Sequence, residues 1–436
     1  MSLGRLTQQA PANWVTKVIG DVFTVVERPV KMDDETLYRR VTVKRRNGGI
    51  ELRDIKRGAE IKVKNQFEIK AGDFLISERQ IVHGACGIVP PELAGALVSN
   101  EYLVLEPREG IDASFFNYLF QLLKYAKLFL ICSQGVDIEK FLFKPRDWLK
   151  KAVPAPPLPE QQKIAAILTV VDDKLDVIAR QIEIALSLKR GLMQTLFSRG
   201  VGAQDADNRW VPHSEFKDSD GRRLPRAWEG GTLRAYVASL RSGVSVNAED
   251  RPHGEGEIGV LKVSCVQGGS FLPSNHKTVV PDELTRAAES VQQGRIIISR
   301  ANTPALVGES AYIHESWPDL FLPDKLWQTE PTDTPHSVRW LSFYLQSPFV
   351  RQEIRTAATG TSGSMKNISK AALLGIFMPV VPLAEQLRIA ELLTAITLKI
   401  DALESKRELY QSVKRGLMQK LLTGEWRVKL GVDMAD

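Results

Sequence analysis

The chain has 436 residues, more than one domain usually contains, so two or three domains are expected. Apolar residues make up 43% of it and charged residues 25%, a globular composition that excludes wholesale disorder and fibrous architectures. The formal net charge of +6 is mild, no window is apolar enough to span a membrane, and the first twenty residues lack the apolar stretch of a signal peptide, which predicts a cytoplasmic location.

Residues 1–156 are predicted to form a mixed α and β body. Within it, residues 36–70 contain eleven basic and four acidic side chains. Such an excess favours a phosphate-binding surface, although the solvated face of a β-hairpin has the same composition. Strands are predicted at residues 37–43, 61–69, 74–77 and 102–105, and a helix at residues 113–131.

Residues 157–200 are predicted to form a long coiled-coil helix. Apolar residues recur at alternating spacings of four and three over about five heptads, which is the 3.5-residue period of a coiled coil. A proline-rich stretch precedes the helix and Gly200 follows it, as is typical of helix starts and ends. The predicted seam comprises Ile164, Leu168, Val171, Leu175, Ile178, Ile182, Ala185, Lys189, Leu192 and Leu196.

A linker at residues 201–226 leads to a second mixed body at residues 227–379. A second coiled-coil helix is predicted at residues 380–424 and a tail at residues 425–436. Unlike the first body, residues 230–380 contain fourteen basic and fourteen acidic side chains, so this body has no net positive charge. Its predicted strands are residues 258–263, 295–299 and 311–314, and its predicted helix is residues 337–355. The seam of the second long helix comprises Ile389, Leu393, Ile396, Ile400, Leu403, Arg407, Tyr410, Lys414, Leu417 and Leu421.

The two long helices are copies of one another. The word Lys-Arg-Gly-Leu-Met-Gln occurs at residues 189–194 and again at residues 414–419, and at the same offset close to half of the positions in residues 157–196 and 382–421 are identical. Weaker similarity continues upstream. Self-similarity of this kind indicates one module used twice.

Neither helix buries its apolar seam alone, and the other copy is always present at high effective concentration. Antiparallel pairing lets the short linker deliver the chain directly into the second body, whereas parallel pairing would require it to run back along the whole helix. The sequence therefore predicts an α+β protein with two related mixed bodies joined by two long antiparallel coiled-coil helices, related by a pseudo-twofold axis. Pairing with other chains is the alternative.

The sequence lacks the motifs of the common catalytic and metal sites. We find no phosphate-binding loop for ATP, no nucleophile turn, and no paired metal-ligand spacing among the six histidines and three cysteines. Cys86, Cys132 and Cys265 are expected to be reduced and buried. We therefore predict no catalytic residue, no metal site and no cofactor in this chain.

The sequence resembles the specificity (S) subunits of type I restriction-modification systems, over nearly its whole length. The resemblance depends on the twice-used proline-Leu-x-Glu-Gln helix entries at residues 157–161 and 382–386, the Lys-Arg-Gly-Leu-Met-Gln helix ends, the linker at residues 213–228 and the ending Leu-Thr-Gly-Glu-Trp-Arg at residues 422–427. It implies two DNA target-recognition domains, each of which reads one half of a bipartite sequence, and a helical spacer that sets the gap.

The resemblance also implies partners. Two methyltransferase (M) subunits would bind S-adenosylmethionine and methylate adenine, and restriction (R) subunits would use ATP and Mg for translocation and cleavage. None of that chemistry would reside in this chain. A coiled-coil adaptor whose two bodies bind protein or glycan ligands, without DNA specificity, is the alternative.

Candidate site residues follow from charge, from loop position and from the resemblance. Arginine suits guanine, and asparagine or glutamine suits adenine. The DNA-binding candidates are Arg39, Arg40, Lys44, Arg45, Arg46, Arg79, Gln80 and His83 in the first body, and Arg300, Asn302, Thr303 and Lys366 in the second. The partner-binding candidates are Glu160, Gln161, Lys189, Arg190, Gly191, Glu385, Gln386, Lys414, Arg415 and Gly416.

Overall fold

The computed structural model describes residue 11 and residues 13–360 and 364–430. The predicted first body and C-terminal tail therefore lie partly outside the described residues, as do residues 361–363 of the predicted second body. The chain divides into two compact units, of which unit 1 comprises residues 1–180 and 405–436 and unit 2 comprises residues 181–404. None of the described helices combines the length and apolar character that crossing a bilayer requires.

Unit 1 combines short strands with short helices before the first long helix begins. Its strands are β1 (Val15–Val18), β2 (Phe23–Val25), β3 (Pro29–Val30), β4 (Leu37–Val43), β5 (Ile50–Arg57), β6 (Gln66–Glu68), β7 (Phe74–Ser77), β8 (Cys86–Ile88), β9 (Leu97–Ser99), β10 (Tyr102–Pro107), β11 (Ser133–Gln134), β12 (Leu142–Phe143) and β13 (Ala152–Ala155). Its helices are α1 (Ile19–Val22), α2 (Ala113–Leu119), α3 (Leu123–Ile131) and α4 (Pro145–Leu149), and the long helix α5 spans Leu158–Arg199.

Two sheets organise unit 1. A four-stranded sheet has the order β2-β10-β7-β8, and a five-stranded sheet has the order β3-β6-β9-β4-β5. Strand β7 begins with three consecutive apolar residues because both of its faces are buried. Phe74 and Ile76 face a cluster that contains the short helices, whereas Leu75 faces a second cluster with residues of both sheets.

Unit 2 has a corresponding set of elements. Its strands are β14 (Ala203–Gln204), β15 (Trp210–Val211), β16 (Phe216–Ser219), β17 (Arg222–Pro225), β18 (Glu229–Thr232), β19 (Val237–Ser242), β20 (Ala248–Glu249), β21 (Gly259–Leu261), β22 (Val266–Gln267), β23 (Ser270–Phe271), β24 (His276–Val279), β25 (Ser290–Val291), β26 (Ile296–Ser299), β27 (Ala301–Asn302), β28 (Ser310–Tyr312), β29 (Trp317–Phe321), β30 (Leu326–Pro331), β31 (Lys366–Asn367) and β32 (Phe377–Val380). Its helices are α6 (Val338–Leu345), α7 (Pro348–Ala357) and α8 (Lys370–Leu374), and the second long helix α9 spans Leu383–Leu421.

The internal repeat is visible in the sheets. The order β19-β30-β26-β28 in unit 2 matches β2-β10-β7-β8 in unit 1. Strand β26 has the same division of faces as β7, since Ile296 and Ile298 belong to one buried cluster and Ile297 to another. In each unit a strand that opens the body pairs antiparallel with the strand that precedes the long helix, β1 with β13 and β18 with β32. The prediction of two related mixed bodies is confirmed.

The two long helices pair antiparallel within each unit. In unit 1, Ile164 and Leu168 near the start of α5 share a buried cluster with Met418 and Leu421 at the end of α9. In unit 2, Ala185 clusters with Ile396 and Ile400. Every residue of both predicted seams is buried or half-buried. The coiled-coil prediction is therefore confirmed, whereas the pseudo-twofold relation stays a prediction.

Two predicted helices are each broken into two. Residues 113–131 form α2 and α3, and residues 337–355 lie in α6 and α7. The break falls at equivalent positions, where Leu122 and Ser347 have extended backbones. In unit 2 the cause is Pro348, because a residue before proline avoids the helical conformation. The strand predicted at residues 61–69 is also too long, since only Gln66–Glu68 is extended and paired.

The linker after α5 folds into two small hairpins. Strands β14 and β15 pair, and β16 pairs with β17 through the tight turn Asp220–Gly221. Both turn residues have positive φ, as an Asp-Gly hairpin turn requires. The segment between the first long helix and the second body is thus an ordered part of unit 2.

Candidate DNA interface

The basic segment forms the β4–β5 hairpin at one edge of the five-stranded sheet. Arg40 donates two hydrogen bonds to Asp54, at 2.8 and 2.7 Å, and these hold the pKa of the Asp54 carboxyl below its ordinary value. Arg39 donates to the backbone oxygens of Glu92 and Ala94. The Lys44 Nζ lies 2.5 Å from Glu51 Oε2. The hairpin is therefore an ordered basic surface with several of its cations already oriented.

The loop after β7 and the turn between β4 and β5 bring four predicted residues together. Arg45 Nε donates to Gln80 Oε1 at 2.8 Å, and an Arg45 guanidinium nitrogen donates to Glu139 Oε2 at 3.0 Å. His83 Nε2 lies 3.1 Å from the other oxygen of Glu139. The Arg46 backbone N–H donates to the backbone oxygen of His83, and Arg46 itself has a positive φ of 60°. Arg79 lies apart from this group and pairs with Glu101 at 2.7 Å.

These ion pairs do not prevent the cations from binding an anion. The Arg45–Glu139 and Arg79–Glu101 pairs are at least half exposed on both sides. Exposed ion pairs are worth about 0–1 kcal/mol, so a phosphate group competes with them at small cost. The arrangement suits a surface that orders its arginines before a polyanion arrives.

In unit 2 the four predicted residues lie together. Strand β27 pairs with β31, and this pairing places Asn302 opposite Lys366. Asn302 is oriented by its own contacts, since its amide donates to Ser299 Oγ at 3.3 Å and its Oδ1 accepts from the Thr303 backbone N–H at 2.8 Å. Lys366 Nζ donates to the Gly360 backbone oxygen. Residues 361–363 of the predicted glycine-serine loop lie outside the described residues.

Arg300 also belongs to this group. Its guanidinium carbon lies 6.0 Å from the centre of the Trp327 ring, and its backbone oxygen accepts from Ile368 N–H at 3.0 Å. Its buried Nε has no hydrogen-bond partner among the residues that the structure describes. Arg300 as a whole is half-buried, and an arginine with an unused donor is suited to a further acceptor, such as a base edge.

The Glu-Gln pairs at the starts of the two long helices are buried and form hydrogen bonds within their own units. Gln161 Oε1 accepts from the Asp112 backbone N–H and its Nε2 donates to the Pro156 oxygen, while Gln386 makes the equivalent bonds to Ser337 and Val381. All four residues, Glu160, Gln161, Glu385 and Gln386, are at most 2% exposed. Their contacts give them a structural role, and binding of a partner by them stays a prediction.

The two buried glutamates accept several hydrogen bonds each. Glu160 accepts from Trp14 Nε1 at 3.2 Å and from two nitrogens of Arg427 at 2.7 and 2.8 Å. Glu385 accepts from Trp228 Nε1 at 2.6 Å, lies 3.0 Å from His213 Nε2, and accepts from the backbone of Val201 and Gly202. Trp14 and Trp228 each end a Pro-x-x-Trp unit that occurs once near the start of each body, and this spacing in the sequence does not indicate a hydrogen bond to the glutamate.

The two Lys-Arg-Gly repeats lie on the long helices, and their residues differ in exposure. Lys189 is half-buried 5.7 Å from the Phe343 ring, and burial together with the nearby Arg339 lowers its pKa. Lys414 contacts Asp172 at 2.6 Å. By contrast Arg190, Gly191, Arg415 and Gly416 are exposed, and a Cβ built on either glycine meets no described atom within 4 Å. The lysines therefore face their own unit, and the arginines and glycines face outward.

No group of three or more metal-ligating side chains occurs in the described part of the chain. The three cysteines are buried and unpaired by disulfides, as expected, and burial raises the pKa of each thiol. Nothing in this arrangement activates a thiol as a nucleophile, because an activated cysteine has a lowered pKa.

Comparison with known proteins identifies relatives of the whole chain. The family model described as type I restriction modification DNA specificity domain matches residues 11–187. The type I restriction enzyme MjaVIII specificity subunit of Methanocaldococcus jannaschii is 26% identical, over 97% of this chain and 95% of that protein. The crystal structure of the type I restriction-modification system S subunit from M. genitalium has 15% identity and a TM-score of 0.58, and covers 98% of both chains. A structure from a study of complex assembly and conformational transition of the type I R-M system has 17% identity and a TM-score of 0.53, and covers 96% of this chain and 100% of that one.

Proposed function

We propose that this chain, which belongs to the family of type I restriction-modification DNA specificity subunits, reads a bipartite DNA sequence with one half-site bound by each unit. The family acts on DNA together with methyltransferase and restriction subunits. As a specificity subunit the chain is not an enzyme, because methylation and cleavage belong to those partners. Its place of action is the cytoplasm, where the DNA is.

The duplication of the body is the observation that carries this proposal. Both units contain the same four-stranded sheet, and in both the predicted DNA-binding loop directly follows its most buried strand, β7 or β26. The loops themselves differ, since Arg79 and Gln80 occupy one and Arg300 and Asn302 the other. Equal scaffolds with unequal loops are suited to reading two different half-sites.

In unit 2 the group around Asn302 reads base edges. Asn302 recognises adenine through its amide, and Arg300 recognises guanine, because these pairings match donor and acceptor patterns in the major groove. Lys366 contacts backbone phosphate. In unit 1 Gln80 and His83 read bases, while the hairpin cations Arg39, Arg40, Lys44, Arg45 and Arg46 hold the duplex in register.

The exposed faces of the two long helices bind two methyltransferase subunits. Ile184 and Leu188 are 68% and 52% exposed, and their equivalents Leu409 and Val413 are 62% and 43% exposed. Each pair is followed by the open glycine at 191 or 416. A repeated apolar face beside a glycine permits close approach of a partner helix, and its presence in both copies fits two identical partners.

Mapping of methylated adenines tests the function. A host without other restriction systems would express the chain with its methyltransferase partner, and its genome would be sequenced for modified bases. We expect one bipartite motif with two defined halves and a fixed gap. A variant with Asn302→Ala should relax the motif in one half only, whereas random or absent methylation would contradict the proposal.

Salt dependence separates this function from that of an adaptor. Affinity for a duplex that carries the mapped motif should fall steeply and linearly in a plot of log K against log salt, because phosphate contacts release counterions. An adaptor that binds protein or glycan ligands would show no preference for the motif at any salt concentration.

A further inference from the structure

A cavity of about 390 Å³ opens on the five-stranded sheet of unit 1. It is separate from the loop after β7 to which we assign base reading. Its wall contains four cations together with neutral hydrogen-bonding side chains. The cations are Arg40, Arg53, Lys56 and Lys62, and the neutral groups include Gln66, Ser99, Asn100 and Tyr102.

A β-bulge places one of these cations in the cavity. The register between β4 and β5 shifts between Arg40 and Val41, which are opposite Asp54 and Leu52, so Arg53 is the extra residue. In a regular strand Arg53 would point to the opposite face from Asp54. Because a bulge re-aims the inserted side chain, Arg53 lines the cavity together with Arg40 and Lys56.

The charge of the wall is positive after its internal pairs are considered. The acids in the wall are Glu60, which accepts a hydrogen bond from the Arg57 backbone, and Glu101, which pairs with Arg79. Arg40 is likewise paired with Asp54, which also lies 3.8 Å from Arg53. The remaining wall charges, Arg53, Lys56 and Lys62 against Glu60, leave an excess of two positive charges. Neither Lys56 nor Lys62 forms an ion pair with any residue that the structure describes.

We propose that this cavity binds a phosphate group, and that in the assembled complex the group is a backbone phosphate of the first half-site. The inference deepens the proposed function and rests on it for the source of the phosphate. Arg53 supplies planar donors, and Arg40 adds the terminal nitrogen that does not donate to Asp54. Lys56 and Lys62 supply flexible donors, and phosphate oxygens accept from both kinds. The cavity binds a backbone phosphate and contacts no base, so it contributes equally to the affinity for every DNA sequence.

The cavity variant combines Lys56→Gln with Lys62→Gln in the full-length chain. The control variant combines Lys127→Gln with Lys150→Gln, both outside the basic segment at residues 36–70. Both variants lose two positive charges, but the control lysines are exposed and do not line the cavity. Duplex affinity is measured between low and physiological salt. The cavity variant should bind about tenfold more weakly and lose about one from the slope of log K against log salt, with no change in the motif read. The control should keep the wild-type slope.

A second arm titrates inorganic phosphate into the same proteins by calorimetry. Loss of phosphate binding together with a reduced slope supports the proposal in full. Loss of phosphate binding with an unchanged duplex slope keeps the phosphate site and overturns its assignment to DNA. An unchanged slope and unchanged phosphate binding overturn the inference, although motif-specific binding by wild type would still support the proposed function. Failure of wild type to bind the duplex specifically would instead count against the proposed function. Equal melting temperatures of the variants exclude misfolding as the cause.

Discussion

A single buried carboxylate near the start of each long helix accepts hydrogen bonds from residues outside that helix. Glu160 is 2% exposed and receives the guanidinium of Arg427, which lies just beyond the end of α9 in the same unit. Replacement of Arg427 by alanine leaves a buried carboxylate with fewer partners. Since a hydrogen bond to a charged group is worth about 1.5–3 kcal/mol, we expect the free energy of unfolding to fall by about that amount.

The control for Arg427 is Arg226→Ala. Arg226 also pairs with a glutamate, Glu215 at 3.2 Å, but both side chains are more than two-thirds exposed. An exposed pair is worth at most about 1 kcal/mol. Denaturant unfolding of both variants measures the difference. If the two variants lose equal stability, the burial of Glu160 does not have the importance that we give it.

A second prediction at the scale of one residue concerns pH. Glu78 immediately precedes the predicted recognition residue Arg79, and burial raises the pKa of its carboxyl above its ordinary value of 4.5. The folded state therefore resists its ionisation. The cost is fully present above the folded pKa and disappears as pH falls below the unfolded pKa.

Replacement of Glu78 by glutamine removes that cost. The melting temperature of Glu78→Gln should exceed that of wild type near pH 7.5, and the difference should vanish near pH 4, where the glutamate is protonated in both states. Glu101→Gln, which removes an exposed carboxylate, serves as a comparison. A stabilisation that persists unchanged at pH 4 would show that packing, not ionisation, is its cause.

At the scale of elements, the repeated glycines of the long helices provide a discriminating test. Gly191 and Gly416 lie in uninterrupted helices, and an added Cβ would meet no described atom. Glycine costs a helix about 1 kcal/mol relative to alanine, so Gly191→Ala with Gly416→Ala should stabilise the isolated chain by up to about 2 kcal/mol. The same change should weaken binding of the methyltransferase subunits, because the added methyl groups obstruct close approach.

The matched control replaces Glu183 and Glu408 with alanine, since they are equivalent exposed positions outside the repeated apolar face. Thermal melting of the chain and co-purification of the methyltransferase subunit measure the two effects. A glycine variant that is more stable and still assembles normally would exclude this face as the docking surface.

The elements also show how far sequence reasoning extends. A strict 3.5-residue period identified both seams residue by residue, and strand β4 was predicted with its observed ends, because these signals are local and repeated. The break between α6 and α7 depends on Pro348 and was visible in principle, whereas the break at Leu122 has no such residue. The hydrogen-bond partners of a side chain are harder to predict from the sequence than the helix or strand in which it lies. The sequence predicts Glu160 as a partner-binding residue, and nothing near it in sequence indicates its hydrogen bonds to Trp14 and Arg427.

At the scale of the whole molecule, the proposed function assigns base reading to the loops of the sheets and the spacing of the half-sites to the long helices. Within unit 1 the register of the long helices is fixed by Asp172 with Lys414, and within unit 2 by Ala185 with Ile396 and Ile400. Loops that read bases can change without altering this register, because they belong to the sheets and not to the helices. The proposed function therefore requires that the length of the helices alone sets the gap between half-sites.

Equal insertions into both helices test that requirement. Because Asp172 faces Lys414, the positions after Asp176 in α5 and after Tyr410 in α9 lie at the same level of unit 1. One heptad added at each point preserves the seam and lengthens the pair by about 10 Å. DNA rises about 3.4 Å per base pair, so the mapped motif should gain about one to three base pairs in its gap and keep both half-sites. The same seven residues inserted into the exposed turn at residues 205–209 should leave the gap unchanged. A change in the bases read, with the gap constant, would exclude the helices as the determinant of spacing.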